Sequence, residues 1–142
     1  MTEPTLPTVT FTITKFHKIG GKHRYCDYTM SLADGGSVVS LDPATNTLTV
    51  SSKKPVQIVF TANGSYLLAG ICFRETDPGK SDPNGTCAFP NIVLNLSGST
   101  STLTLTDTAD TPSSYEFAML VVGISEEALG LIDPPIVNRP PA

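Results

Sequence analysis

The amino-acid sequence predicts an all-β protein built as a sandwich of short antiparallel strands. Three observations predict it. Apolar and polar residues alternate with a period of two along much of the chain, and turn-forming pairs punctuate that alternation at short intervals. Threonine is also over-used, with 19 Thr beside 13 Ser in 142 residues. A β-branched side chain with a hydroxyl suits the wet face of a pleated sheet.

The first strand, at 8–16, opens as TVTFTIT, with Val9, Phe11 and Ile13 inward against Thr8, Thr10, Thr12 and Thr14 outward. Gly20-Gly21 turns the chain into a second strand at 24–32, and Asp34-Gly35-Gly36 leads to a third at 37–41. Asp42-Pro43 precedes a fourth at 46–52, where Leu48 and Val50 alternate with threonines. Pro55 opens a fifth at 56–62, a position where a sheet tolerates proline. Asn63-Gly64 favours the positive φ of a tight turn and introduces a sixth at 66–74. Strands at 91–97 and 101–106 meet at Gly98, and Thr111-Pro112 precedes the last, at 115–124. Two runs, YLLAGICF (66–73) and FAMLVVGI (117–124), are apolar on both faces and are expected as central strands or as a subunit contact. The helical candidate is one turn, SEEALG, capped by Ser125 and ended by Gly130. Pro4 and Pro7 are expected to guard a sheet edge. These elements predict an antiparallel immunoglobulin-like β-sandwich of about eight or nine strands. It is expected as a single domain, 1–142, with 130–142 as an extended Pro-rich tail docked on it.

Composition narrows the function. With 39% hydrophobic and 15% charged residues, the chain fits a folded domain able to bury a core without disulfides or metal. The net charge of −4 is unevenly spread: 1–75 hold seven Lys/Arg against five Asp/Glu, and 76–142 hold two against eight. An acidic surface repels phosphate backbones, which argues against nucleic acid. No basic n-region and apolar h-region stands at the start, and no apolar run reaches the length of a membrane span. A cytoplasmic location, no membrane partner and reduced cysteines are therefore expected, with Cys72 and Cys87 read as buried thiols.

Candidate sites are few. His17 and His23 flank Gly20-Gly21; a two-residue turn there would put them on opposite faces, so no metal site is expected. The longest irregular stretch, ETDPGKSDPNGTC (75–87), offers Glu75, Asp77, Asp82 and Asn84 as a loose ligand or calcium set. It lacks the complete EF-hand pattern, because Lys80 stands where a ligand is needed. No nucleophile elbow, P-loop, dinucleotide fingerprint or zinc-protease motif is present, so the expectation is a protein that is not an enzyme and needs no cofactor. In GLIDPPIVNRPPA (130–142), Ile132, Ile136 and Val137 are apolar enough to dock, and Asp133 and Asn138 are expected to satisfy backbone donors at its bends.

TLTVSSKKPVQIVFT, YEFAMLVVG and IDPPIVNRP, in that order, resemble the small bacterial proteins of the DP-EP family. The match falls on Asp133-Pro134 and Asn138-Arg139-Pro140, within about the last hundred residues. DPPI is similar, more weakly, to the Asp-Pro-x-Ile of AidA/PixA inclusion-body proteins. The resemblance implies a β-sandwich of unassigned biochemical role, with no catalytic residues. The expected function is that of a non-catalytic bacterial β-sandwich acting by self-association, as a homo-oligomer, or through a protein partner. The alternative is a small-ligand, calcium or carbohydrate module using the loop 75–87.

Overall fold

A computed structural model of the chain describes residues 6–19, 23–76, 81–98, 100–125 and 128–141. These form eleven strands and, among the described residues, no helix. They are β1 (Thr8–Ile19), β2 (His23–Ala33), β3 (Val39–Asp42), β4 (Thr47–Val50), β5 (Val56–Ala62) and β6 (Tyr66–Glu75). There follow β7 (Asn91–Ser97), β8 (Thr100–Asp107), β9 (Ser113–Gly123), β10 (Ala128–Ile132) and β11 (Pro135–Asn138). Hydrogen bonding runs in the order β3-β4-β11-β9-β10-β2-β1-β5-β8-β7, with β6 on the other side of β9. The ladder folds into two mixed sheets that do not close as a barrel. One holds β3, β4, β11, β9 and β6, and the other runs from β2 to β7 through β1, β5 and β8. β10 passes between them, pairing with β9 and with β2.

The period-two pattern sets the core. Phe11, Ile58, Phe60, Leu103 and Leu105 are buried on one sheet, and Leu48, Phe117, Met119 and Ile136 on the other. Phe60 meets Phe117 across the layers with ring centroids 5.6 Å apart, and stacks on Phe11 at 5.8 Å.

Several expectations change. The sheets are mixed, not antiparallel: β1 runs parallel to β5, β2 to β10 and β4 to β11. Strand count rises from about nine to eleven, because the C-terminal segment supplies β10 and β11. Alternation reports which residues face the core, and it is blind to the direction of the neighbouring strand. The expected helical turn gives way to β10, which contains Gly130; Glu126 and Glu127 lie outside the described residues. A Cβ at Gly130 would stand 2.6 Å from the Cys26 sulfur, so this glycine permits close packing and does not end a helix. β6, expected as a central strand or as a subunit contact, pairs within the chain with β9 alone. β1 is interior, and the Pro7 carbonyl accepts a hydrogen bond from the Val59 amide at 2.9 Å, so Pro7 guards no edge. In the first hairpin Ile19 pairs with His23 and Lys18 with Arg24, which displaces the register from a two-residue Gly20-Gly21 turn. The side chains of His17 and His23, and with them the expectation about their faces, lie outside what the structure describes.

Candidate functional site

The loop after β6 is held by its own polar groups. Asp82, Pro83, Asn84 and Gly85 form a turn in which the Gly85 amide donates to the Asp82 carbonyl at 3.0 Å. Gly85 has φ +68°, and a Cβ there would come within 2.8 Å of Phe73 Cβ and 2.9 Å of Phe89 Cδ2. Phe89 stacks on Phe73 at a centroid distance of 4.0 Å and meets Tyr115 edge-on at 5.0 Å, anchoring the loop to the core. The Asp82 carboxylate points inward. It accepts the Cys87 amide on Oδ1 and the Ala88 amide on Oδ2, each at 3.0 Å, and the Tyr115 hydroxyl on Oδ2 at 2.8 Å. Burial alone would raise its pKa, but these donors outweigh burial and hold it below the ordinary value. Burial, reinforced by the bond to Asp82, raises that of Tyr115.

Three members of the expected ligand set, Glu75, Asp82 and Asn84, fall within the described residues. Asp82 is spent on the loop itself. Glu75 is buried, with Oε1 facing the Asp82 amide at 3.5 Å; Asn84 is exposed; Asp77 lies outside the described residues. Among the described residues, no group of three or more His, Cys, Asp or Glu is arranged to hold a metal. The cysteine expectation is also corrected: Cys72 and Cys87 are free and exposed, and Cys26 is the buried one.

A second carboxylate stands behind the first. Asp107 is wholly buried and accepts the Ala109 amide at 2.9 Å and the Asn138 side-chain amide at 2.8 Å, both on Oδ1. Its Oδ2 and the Asn138 Oδ1 are buried without a hydrogen-bond partner. Burial pushes the Asp107 pKa up to about 6, against the lowering by its two donors. A cavity of about 370 Å³ lies between the loop after β6 and the connection 108–112 from β8 to β9, lined by Glu75, Asp82, Asp110, Ser113, Tyr115 and Asn138 among others.

The tail residues divide by position. Asn138 does not satisfy backbone donors as expected; it binds Asp107, and Ser113 Oγ more weakly at 3.4 Å. The Pro134 carbonyl accepts the Phe117 amide at 3.0 Å, and the Arg139 amide donates to the Val50 carbonyl at 2.8 Å. Asp133 is exposed, and its charge adds to burial in raising the pKa of Tyr28. Asp107, Tyr115 and Ser101 escaped sequence reasoning because each sits at an inward position of an alternating strand, where it reads as an interruption or as core.

Two surfaces stand apart from these polar clusters. Every residue of β7 is exposed, including Ile92, Val93, Leu94 and Leu96. Ile124, Leu129 and Leu131, on or beside β9 and β10, form a second exposed apolar group.

No family model and no curated protein matches the chain. Among solved structures, it is similar to the inclusion body protein PixA from Burkholderia cenocepacia, at 10% sequence identity and a TM-score of 0.46. The match covers 99% of this chain and 97% of that one.

Proposed function

We propose that this chain is a non-catalytic, cytoplasmic bacterial protein of immunoglobulin-like sandwich type, related to the DP-EP family, that acts through self-association or protein–protein contact. The observation that carries this reading is β7, a full-length edge strand with four large apolar side chains in solvent. Monomeric proteins seldom leave such an edge open, because its unpaired amides and carbonyls recruit further strands. Sedimentation velocity over a range of concentrations, with a pull-down alongside, tests the reading. A strict monomer that captures nothing would count decisively against it.

A second reading, a small-ligand, calcium or carbohydrate module, is favoured by the polar cavity and by the unpartnered Asn138 Oδ1 beside it. Titration with calcium and a sugar panel, followed by melting temperature, is its test. An unchanged melting point at millimolar ligand would sink it.

A further inference from the structure

Resting on the self-association reading, we infer that β7 is the contact and that its partner is β7 of a second copy. The two strands pair antiparallel about a two-fold axis through Leu94. The first reason is what the sheet leaves uncovered. β7 pairs with β8 so that Ile92 lies opposite Leu105, Leu94 opposite Leu103 and Leu96 opposite Ser101. Leu103, Leu105 and Ser101 are buried on the core face, so Ile92, Leu94 and Leu96 stand on that face too. They are nevertheless 42%, 38% and 65% exposed. The opposite sheet reaches β8, where the Leu68 amide on β6 donates to Ser101 Oγ at 2.7 Å, and it leaves β7 bare. The apolar lining of the core thus runs out from under its cover along one whole strand.

The second reason is that β3 and β6, the other strands with a single partner, are guarded and this one is not. β3 has four residues and ends in Asp42. β6 carries a register shift between Leu68 and Gly70 and the exposed ion pair of Arg74 with Glu116 of β9. Short length, bulges and charge are the usual protections of an edge. β7, NIVLNLS, has no charge and no proline within it and pairs with β8 without a bulge.

The third reason selects a second copy over a different partner. The chain carries −4, so two copies repel unless they meet over neutral surface. Residues 83–106 contain no charged side chain, the longest such run in the sequence, and β7 lies inside it. The strand also complements itself. With Leu94 opposite Leu94, Ile92 faces Leu96 twice and the apolar stripe is continuous across both copies. Sliding the axis to Val93 sets Leu96 against Pro90, and sliding it to Asn95 sets Ile92 against Gly98. Only the register through Leu94 matches every large apolar side chain on that face.

The test is sedimentation velocity on the whole chain. Wild type is expected to dimerise with concentration. Leu94→Lys and Leu94→Glu each set like charges face to face at the axis, and each should weaken dimerisation roughly a hundredfold or more. Mixing the two variants should restore a heterodimer. Leu96→Lys, at the more exposed position, should weaken it as well, whereas Leu129→Lys at the other apolar group should leave it unchanged. Melting curves confirm that each variant is folded. If wild type dimerises and the Leu94 and Leu96 variants dimerise equally well, β7 is not the contact although self-association stands. If the Leu94 variants dissociate but their mixture does not reassociate, the register through Leu94 is overturned. A wild type that is monomeric at every concentration overturns both this inference and the reading it rests on.

Discussion

Two buried carboxylates, Asp82 and Asp107, meet opposite environments, and pH should separate them. Asp82 is held ionised by two backbone amides and a tyrosine hydroxyl. The stability it contributes is present above the ordinary carboxylate value and is lost as pH falls through its lowered one. Asp107 behaves in the reverse sense. Its folded pKa, about 6 against 3.8, lies above the unfolded value, so the folded state holds the proton more tightly. The stability linked to that proton is complete below 3.8 and lost as pH rises through about 6. Two units correspond to about 3 kcal/mol. Asp107→Asn keeps the acceptor used by Ala109 and Asn138 and removes the buried charge. It should raise the melting temperature at pH 7.5 and flatten the decline between pH 5 and 7. A melting series that leaves the wild-type slope intact in the variant would show that Asp107 is not its source. Gly85 offers a conformational counterpart. At φ +68° with Phe73 and Phe89 in the way, Gly85→Ala should cost about 3 kcal/mol in urea unfolding. A loss under about 1 kcal/mol would mean that the turn is not pinned to the aromatic cluster.

Among the elements, β11 bears directly on stability. It lies between β4 and β9, parallel to one and antiparallel to the other, inside a sheet and not along its rim. Ile136 is fully buried and Ile132 nearly so. Ile136→Ala should cost about 2–5 kcal/mol. Deleting 130–142 removes both side chains and the Asn138 bond to Asp107, out of a total stability of about 5–15 kcal/mol. The truncated chain should aggregate or melt far lower, as a thermal scan would register. An unchanged melting curve would instead mark the segment as a displayed peptide. Four prolines in 130–142 exclude helix and leave extended chain, and of the three apolar residues expected to dock, Ile132 and Ile136 are buried whereas Val137 is half-buried. The sequence did not disclose the place, since a parallel partner such as Leu48 opposite Ile136 is remote in sequence and carries no turn to announce it. β6 shows the complementary failure. Its double apolarity suggested a central strand or a subunit contact, and hydrophobicity along both faces does not say whether a neighbour within the chain exists on each side. The candidate loop was legible as a loop from Asp82-Pro83-Asn84-Gly85, but its carboxylate was read as facing a ligand when it faces Tyr115. The exposed edge of β7 was hidden for a related reason: NIVLNLS is as apolar as a covered strand, and only the extent of the opposite sheet leaves it bare.

For the whole molecule, the placement of charge predicts how assembly responds to salt. Lys and Arg number two in 76–142 against eight Asp and Glu, and β7 belongs to this acidic half. A two-fold axis through Leu94 brings together two copies that each carry −4, around a contact that contains no charge. The long-range interaction between copies is then repulsive, and the short-range one is apolar and hydrogen-bonded. Screening shortens the first, with a Debye length of about 10 Å at 0.1 M and about 3 Å at 1 M ionic strength, and hardly touches the second. Salts excluded from the surface, such as sulfate, also strengthen apolar burial. Dimerisation should therefore tighten severalfold as sodium chloride is raised from low to high concentration, and further in sulfate at equal ionic strength. An interface held by ion pairs behaves oppositely, because screening removes its attraction. Sedimentation at a fixed protein concentration across a salt series distinguishes the two. Dissociation with added salt would place the contact on the charged faces and away from β7.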